Sequence, residues 1–321
     1  MAKTQGILLK QPIMFKVLYA LVPILLASVY YYGWRTIAVL AVVNVVGFLS
    51  EYIFARQNKA KVSSAVFVTN FLYALSLPPT IPYWIAAVGI AFGVIFGKMV
   101  FGGFGRNVFN PAISGRAFVY ASFGYQLSSR FVPPVGGTLG GFIAWSPGLD
   151  AVTQATPLVR MSAGESVPFL DLLLGSTAGS MGETAAFLII LSGLYLIFTK
   201  TASWHIIVSV FVGFFGMQSI LHYAGVSAAI APQYALFAGS ILYGMMYMAT
   251  DPVSSSQTTN LGRVIYGAFI GVLTVLIRTF SIWPEGITFA ILLANMFAPL
   301  LNYLIVEQKK KKKVKAAGGT A

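Results

Sequence analysis

The chain has 321 residues and a formal net charge of +13, with 57% hydrophobic and only 9% charged residues. Its mean hydropathy is +0.80. Soluble proteins carry about 25% charged residues, so this composition excludes an ordinary soluble domain and predicts an all-α polytopic membrane protein. Cysteine is absent, which excludes disulfides and thiolate-held metal centres. The only histidines, His205 and His222, each lie near one end of an apolar run, as interfacial side chains do. Any electron transfer therefore calls for an organic cofactor.

About ten apolar runs are candidate transmembrane helices, because each approaches the roughly 20 residues needed to cross a bilayer. In chain order they are Met14–Trp34, Ile37–Phe54, Ala65–Leu77, Tyr83–Phe101, Val108–Phe123, Glu183–Phe198, Trp204–Tyr223, Tyr234–Met248, Val264–Ile277 and Thr288–Val306. The first run has Lys3 and Lys10 in its flank and suits a retained anchor better than a cleaved signal.

The basic residues predict the orientation of these spans. With a cytoplasmic N-terminus and alternating spans, 16 of the 21 Lys and Arg residues, Lys98 among them, fall on the cytoplasmic side. Such a bias marks cytoplasmic loops and predicts an even number of spans with both termini cytoplasmic. The basic tail, residues 307–321, is then expected to contact anionic lipid, and no nucleic-acid partner is expected.

Five spans precede the longest loop and five follow it, and the third span of each half is short and ends at proline. The sequence therefore predicts a first repeat over 1–123, an extracytoplasmic loop over 124–182, a second repeat over 183–306 and a basic cytoplasmic tail over 307–321. An odd number of spans per repeat inverts one half relative to the other. Broken helices at matching positions of inverted repeats often line a site at the bilayer midplane.

Several polar residues stand in or beside apolar runs. The stretch from Gly97 to Phe118 is rich in glycine, which serves close ligand contact and helix packing equally well. Asn107 and Asn110 are three apart and are predicted to share a helix face, where they could bind a ligand. Arg116 lies within an apolar run and requires a partner or an aqueous cavity.

Two acidic residues lie towards the cytoplasmic ends of spans, Glu51 and Asp251. Glu51, one turn before Arg56, is either an ion-pathway carboxylate or a helix-end group that reaches the interface. Asp251 precedes Pro252 at a predicted break in a helix, which makes it the better candidate for a functional carboxylate.

The polar nonapeptide DAVTQATPL, residues 150–158, stands out in the long loop. Taken as local structure it is a turn, in which Asp150 and Thr153 cap backbone groups and Pro157 ends any helix begun there. No histidine or lysine base lies beside it, so its spacing shows no nucleophile.

The nonapeptide nevertheless resembles Asp-x-x-Ser/Thr-x-Ala-Thr, the flavinylation motif of bacterial respiratory membrane complexes. Asp150, Thr153, Ala155 and Thr156 match it, and Gln154 stands where glycine or serine is usual. The segments ALSLPPTIPYW, VFGGFGRNVFNPA and MATDP are similar to segments of one family, over about residues 10 to 306. That family contains NqrB, which belongs to the sodium-pumping NADH:quinone oxidoreductase, and RnfD, which belongs to the Rnf complex. The short N-terminus favours RnfD, whereas NPAISGRAF leans towards the other branch.

The resemblance implies a urea-transporter-like fold of two inverted five-helix repeats in the bacterial inner membrane. It also implies that the chain is one subunit of an ion-pumping redox enzyme. In the Rnf branch this enzyme couples electron transfer between ferredoxin and NAD to the movement of Na⁺ or H⁺ across the membrane. FMN is expected on Thr156 through a phosphoester, attached by a flavin transferase on the outer face. A noncovalent riboflavin is expected nearer the cytoplasm, with Asn107, Asn110 and, less directly, Asp251 at its site.

Two other functions remain open on the sequence. A stand-alone solute channel or transporter would share the scaffold, carry solute alone and contain no flavin. A purely structural assembly subunit would lose nothing when Thr156 is replaced. The first hypothesis further expects partner subunits, both membrane and peripheral, in addition to the lipid bilayer.

Overall fold

The computed structural model describes residues 7–128, 130–147, 155–256, 259–281 and 286–318. These residues form a mostly helical protein. Its helices are α1 (Pro12–Tyr32), α2 (Arg35–Gln57), α3 (Ala65–Leu75), α4 (Tyr83–Val94), α5 (Pro111–Ser122), α6 (Gly124–Ser128), α7 (Pro157–Ser162), α8 (Phe169–Leu174), α9 (Ala186–Phe198), α10 (Trp204–Tyr223), α11 (Pro232–Phe237), α12 (Ile241–Tyr243), α13 (Asn260–Phe280) and α14 (Ile287–Gly318), with a 3₁₀ turn at Gly140–Ile143. Two short strands, β1 (Leu8–Leu9) and β2 (Val62–Ser63), pair in parallel, Leu8 with Val62 and Leu9 with Ser63.

Within the described residues, five helices are long and apolar enough to cross a membrane: α1, α2, α10, α13 and α14. Shorter apolar helices cover Ala65–Leu75, Tyr83–Met99 and Ala186–Phe198. Large apolar side chains such as Tyr19, Leu26 and Phe198 are exposed on the outside of the helices, as lipid-facing residues are. The prediction of a multi-pass membrane protein is confirmed.

Several predicted spans change at their ends. The fifth begins at Pro111, because Asn107 to Asn110 form an irregular segment and proline is favoured at the first position of a helix. The eighth, Tyr234–Met248, is divided into α11, α12 and a further segment. Pro157, expected to end a helix, instead begins α7. At Pro111 and Pro157 the reason is the same, because proline fits the first turn of a helix but not its interior.

Glycine allows two pairs of helices to approach closely. At Gly271 of α13, a Cβ would lie 2.3 Å from the Val210 carbonyl oxygen of α10. At Gly115 of α5, a Cβ would lie 2.6 Å from the Gly89 carbonyl oxygen of α4. Small residues at such crossings are the usual basis of helix packing in membranes, so these contacts fix α10 on α13 and α4 on α5.

The short helix α3 is held at both ends by distant parts of the chain. Before α3, the backbone N–H of Gln11 donates to Ser64 Oγ at 3.0 Å, beside the β1–β2 pair. After α3, Gly182 N–H donates to the Leu75 carbonyl at 2.6 Å, and Met181 N–H donates to the Leu77 carbonyl at 3.0 Å. Backbone groups inside a membrane protein must be satisfied by the protein itself, and here residues over 100 positions away supply the donors.

Two π-helical segments extend regular helices. Ile95–Met99 continues α4, with Val100 N–H donating to the Ile95 carbonyl at 2.9 Å. Gly244–Met248 continues α12, with Ala249 N–H donating to the Gly244 carbonyl at 2.8 Å. Such segments are rare and are frequently found at functional sites. Both lead into one cavity.

Candidate functional site

The first candidate site is a cavity of about 60 Å³ between α1, α3, the two π-helical segments and the glycine-rich loop. We call it the asparagine cavity. Its polar lining consists of Thr69, Lys98, Asn107, Asn110, Thr201, Tyr247, Thr250 and Asp251, and its apolar lining includes Met14, Val17, Leu72, Phe104 and Leu196. A cavity of this size admits a few water molecules. A larger ligand requires its walls to move apart.

Asn107 and Asn110 both line this cavity and both are buried. They are not on one helix face as predicted, because α5 begins only at Pro111. Asn110 is the N-cap of α5, and its Oδ1 accepts from Ala112 N–H at 3.0 Å while its Nδ2 donates to the Met248 carbonyl at 3.3 Å. Asn107 Nδ2 donates to the Phe109 carbonyl at 3.0 Å. A side-chain amide has two N–H donors and an oxygen with two acceptor positions, so each retains hydrogen-bonding capacity towards the cavity.

Lys98 brings a buried charge to the same cavity. Its Nζ lies 2.6 Å from Glu51 Oε2, and the two side chains are 2% and 3% exposed. Glu51 is fixed in turn, because its Oε1 accepts from the Ser63 backbone N–H at 2.8 Å. The charge bias grouped Lys98 with the cytoplasmic lysines, and Glu51 was expected to be an ion-pathway or helix-end group. The structure buries both residues as a pair. Glu51 is therefore not a helix-end group that reaches the interface, and the cytoplasmic placement of Lys98 stays a prediction.

Asp251 and Tyr247 also line the asparagine cavity. The Asp251 Oδ2 accepts from Ser254 N–H at 3.1 Å and from the Ser254 hydroxyl. This bond closes the turn that follows the π-helical segment. Tyr247 shares a hydrogen bond with Ser192 Oγ. Asp251 therefore lines the same cavity as the two asparagines, as predicted, although it lies more than 140 positions from them in the sequence.

The second candidate site is a smaller cavity of about 30 Å³, which we call the threonine cavity because Thr156 lines it. Thr177, Ser180, Glu183 and Thr184 are its other polar residues, and Leu158, Leu172 and Phe237 contribute apolar surface. Thr156 is half-exposed and precedes α7, yet its hydroxyl makes no capping hydrogen bond to that helix. Ser180 Oγ is buried and has no hydrogen-bond partner among the residues that the structure describes.

Helix α1 runs from one cavity to the other. Val17, near its beginning, lines the asparagine cavity. The hydroxyl of Tyr32, at its end, donates to the carbonyl of Thr177 in the threonine cavity at 3.2 Å. At 1.5 Å per residue, these positions are roughly 22 Å apart along the helix. The two sites thus lie towards opposite ends of a helix that is long enough to span a membrane.

Arg116 has the partner that its position required. Its guanidinium pairs with Glu183 through Nη1 to Oε1 and through Nη2 to Oε2, the latter at 3.4 Å. The two side chains are 2% and 3% exposed. Since Glu183 also lines the threonine cavity, Arg116 belongs to the surroundings of that cavity rather than to those of Asn110.

The flavinylation motif is only partly within the described residues. Asp150 and Thr153 lie outside them, Ala155 is exposed, and Thr156 lines the threonine cavity. Sequence reasoning missed Lys98, Glu183 and Ser180 as site residues. For Lys98 and Glu183 the signal was present, because a charge within or beside an apolar run needs a partner just as Arg116 does. For Ser180 no sequence signal exists.

The long apolar helices define a multi-pass membrane protein, and its described residues place Asn107, Asn110 and Asp251 at one cavity and Thr156 at another. Residues 7–311 match the family described as NQR2, RnfD, RnfE. The chain belongs to this family.

Among its relatives are three proteins whose names describe them as the B component of a Na(+)-translocating NADH-quinone reductase. The one from Ectopseudomonas mendocina (strain ymp) is 40% identical over 288 residues, which cover 86% of this chain and 68% of the relative. The one from Neisseria meningitidis serogroup B is 37% identical over 295 residues, covering 87% and 68%. The one from Yersinia pestis is 39% identical over 284 residues, again covering 87% and 68%. The family expectation is thereby confirmed, whereas the preference for the RnfD branch is not.

Proposed function

We propose that this chain is a flavin-carrying membrane subunit of an ion-translocating oxidoreductase complex. One observation carries the proposal: Asn107 and Asn110 line one polar cavity and Thr156 lines another, towards opposite ends of α1, and the family resemblance links both sets of residues to flavins. A solute channel would need one continuous path, and a purely structural subunit would need neither cavity. The other subunits of the complex are its partners.

The names of the relatives favour the sodium-translocating NADH:quinone branch for this chain. The ferredoxin:NAD branch is the second candidate, since the matched family includes RnfD by description. The two differ in the electron donor and acceptor of the purified complex. Reduction of its flavins by NADH with quinone as acceptor supports the first branch. Reduction by ferredoxin with NAD as acceptor supports the second.

The outer cofactor in this proposal is FMN, bonded to Thr156 Oγ through its phosphate. Thr156 suits that attachment because the residue is half-buried rather than buried and its hydroxyl does not cap α7. The cofactor supplies the redox chemistry. The protein holds the FMN in position: Thr156 anchors its phosphate, and Ser180 Oγ offers a buried hydrogen-bonding group in the same cavity. Maturation requires a flavin transferase acting outside the cytoplasm.

The inner cofactor in this proposal is a noncovalent riboflavin in the asparagine cavity. The lining provides apolar contact surface together with the amides of Asn107 and Asn110, which can donate and accept hydrogen bonds, and the carboxylate of Asp251, which accepts them, a set that suits the polar edge of an isoalloxazine. At about 60 Å³ the cavity must widen to admit it.

We further propose that the chain forms two inverted five-helix repeats. In support, α2 packs on α4 as α10 packs on α13, and α4 packs on α5 as α13 packs on α14. Each half also holds a short third element, the single helix α3 in the first and the divided α11 and α12 in the second. With both termini cytoplasmic in a bacterial inner membrane, Thr156 faces outwards, where the transferase acts.

The test of the covalent site compares in-gel flavin fluorescence of wild type and Thr156→Val after SDS denaturation, each co-expressed with a flavin transferase. We expect a fluorescent band for wild type alone, with equal protein levels for both. A band of equal strength for Thr156→Val would move the attachment elsewhere, to Thr153 for example. Absence of any band from both proteins would remove the covalent flavin from the proposal and favour the transporter hypothesis.

A further inference from the structure

The segment from Phe131 to Trp145 lies outside the spanning helices, yet it carries no charged residue. Four of its large apolar side chains are exposed, Leu139 by 59%, Phe142 by 45%, Ile143 by 76% and Trp145 by 61%. We call these four residues the apolar patch. Exposed apolar groups collected in this way mark a surface that contacts protein or membrane.

The segment is fixed to the turn between α1 and α2. The carbonyl of Ala144 accepts from Trp34 N–H at 3.1 Å, and the carbonyl of Trp145 accepts from Arg35 N–H at 2.7 Å. The indole Nε1–H of Trp34 also donates to the Phe142 carbonyl at 2.9 Å. The apolar patch therefore has a defined position relative to the ends of both helices.

The lengths of these two helices place their shared turn at the boundary of the membrane. α1 has 21 residues and α2 has 23, and both are apolar enough to cross a bilayer. At 1.5 Å per residue they are about 31 Å and 34 Å long, close to the roughly 30 Å of the hydrocarbon core. The turn, and the patch fixed to it, thus lie where the hydrocarbon meets the lipid headgroups.

The tryptophan residues agree with this depth. Trp34 in the turn is 48% exposed, and Trp84 at the beginning of α4 is 56% exposed. The guanidinium of Arg35 lies 4.7 Å above the ring of Tyr83, which brings the beginning of α4 level with the turn. With Trp145, three of the five tryptophans in the chain are at this level. Tryptophan is enriched at membrane–water interfaces, where its ring is among the lipids and its N–H reaches polar groups.

The charged groups next to the segment suit lipid headgroups. Arg130 precedes it and is exposed. The guanidinium of Arg35 donates to the carbonyls of Pro79 and Ile81, the latter at 2.7 Å. Asp150, which follows the segment, lies outside the described residues. Arginine near the end of a span extends its charge to the level of the lipid phosphates.

The apolar patch also continues a surface that faces lipid. The ring of Phe142 lies 5.7 Å from that of Tyr30 in α1. Tyr30 is one turn after Leu26, which is 55% exposed, and residues four apart share one face of a helix. An apolar strip therefore runs along α1 from Leu26 to the patch without a change of chemistry.

We propose that the apolar patch is a membrane anchor, inserted into the lipid leaflet at the α1–α2 turn. Ile143 and its apolar neighbours contact acyl chains, and Trp145 lies at the level of the headgroups. Thr156 follows Trp145 by 11 residues, so the anchor keeps the beginning of the loop that carries Thr156 at the membrane surface. The anchor does not depend on a flavin at Thr156.

The test measures the depth of single fluorescent labels. Because the chain has no cysteine, Ile143→Cys introduces one labelling site at an exposed position. The full chain, and separately the purified complex, is placed in phosphatidylcholine vesicles that contain nitroxide lipids. The nitroxide is carried either near the headgroup or near the end of the acyl chain, and iodide serves as the quencher in water. Leu26→Cys is the control within the membrane, and Glu165→Cys, whose parent side chain is 57% exposed, is the control in water.

We expect the shallow nitroxide to quench the Ile143→Cys label more than the deep one, with loss of the iodide quenching seen at Glu165→Cys. The Leu26→Cys label should respond more to the deep nitroxide. Iodide quenching of Ile143→Cys equal to that of Glu165→Cys, with no effect of either lipid, places the patch in water and overturns the inference. Protection from iodide and from both lipids in the complex identifies a protein partner and overturns it as well.

Two further variants keep the result clear. Should Ile143→Cys fail to insert, Leu139→Cys in the same patch provides the same measurement. Adding Thr156→Val to Ile143→Cys is expected to leave its quenching unchanged. Loss of the covalent flavin would therefore refute only the proposed function, whereas loss of lipid quenching would refute only the anchor.

Discussion

The ion pair between Arg116 and Glu183 offers the most demanding test of the structure. It joins α5 to the segment before α9 across 67 positions of the chain. Three variants are needed: Arg116→Met, Glu183→Gln and the double variant. The exposed pair Arg160–Glu165, with side chains 39% and 57% exposed, provides a matched control through Glu165→Gln.

The magnitudes follow from burial. Because the Arg116 and Glu183 side chains are 2% and 3% exposed, removing one partner takes a buried counter-charge away from the other, which costs about 3–5 kcal/mol. Insertion scales give a similar figure of about 2.5–3.5 kcal/mol for one charge at the centre of a membrane helix. Removing both charges eliminates the desolvation cost as well, so the double variant loses less than either single variant. The exposed control loses no more than about 1 kcal/mol.

The assay is equilibrium unfolding in mild detergent by titration with SDS, followed by tryptophan fluorescence. The coupling free energy comes from the double-mutant cycle. We expect a coupling of several kcal/mol for the buried pair and a negligible loss for Glu165→Gln. If the double variant loses as much as the two single variants added together, the two side chains act independently and the reasoning from a buried pair is refuted.

Two further predictions concern helix packing and the asparagine cavity. Gly271→Ala forces a Cβ against the Val210 carbonyl oxygen, 2.3 Å away. We expect its free energy of unfolding to fall by about 1–3 kcal/mol in the same assay. Gly216→Ala is the control and should lose no stability, because its Cβ meets no described atom within 4 Å. Asn110→Leu is expected to lower the riboflavin released per mole of purified protein and to lose about 1 kcal/mol of helix capping. Asn110→Asp keeps the acceptor for Ala112 N–H but lacks the amide donor, so unchanged riboflavin in both variants would contradict a role for the amide.

The sequence predicted the helices well because apolar length is a local property. α1, α10 and the short α3 lie where the apolar runs predicted them. It also predicted that Arg116 needs a partner, but it could not identify Glu183, since nothing local encodes a contact across 67 positions. The π-helical segments could not be predicted, because one additional residue in a mostly apolar run does not change the hydrophobic periodicity of the sequence. The charge of Lys98 beside an apolar run signalled a partner, but as with Arg116 the sequence could not identify that partner, Glu51.

The carbonyl groups at the end of α3 have a consequence for synthesis in the cell. With 11 residues, α3 is about 16 Å long, roughly half the hydrocarbon thickness, so hydrophobicity alone does not hold it across the bilayer. The carbonyls of Leu75 and Leu77 receive their donors from Gly182 and Met181, which leave the ribosome after more than 100 further residues. The first half of the chain therefore cannot complete its own fold during translation, and α3 acquires its final hydrogen bonds only after the long loop has been synthesised.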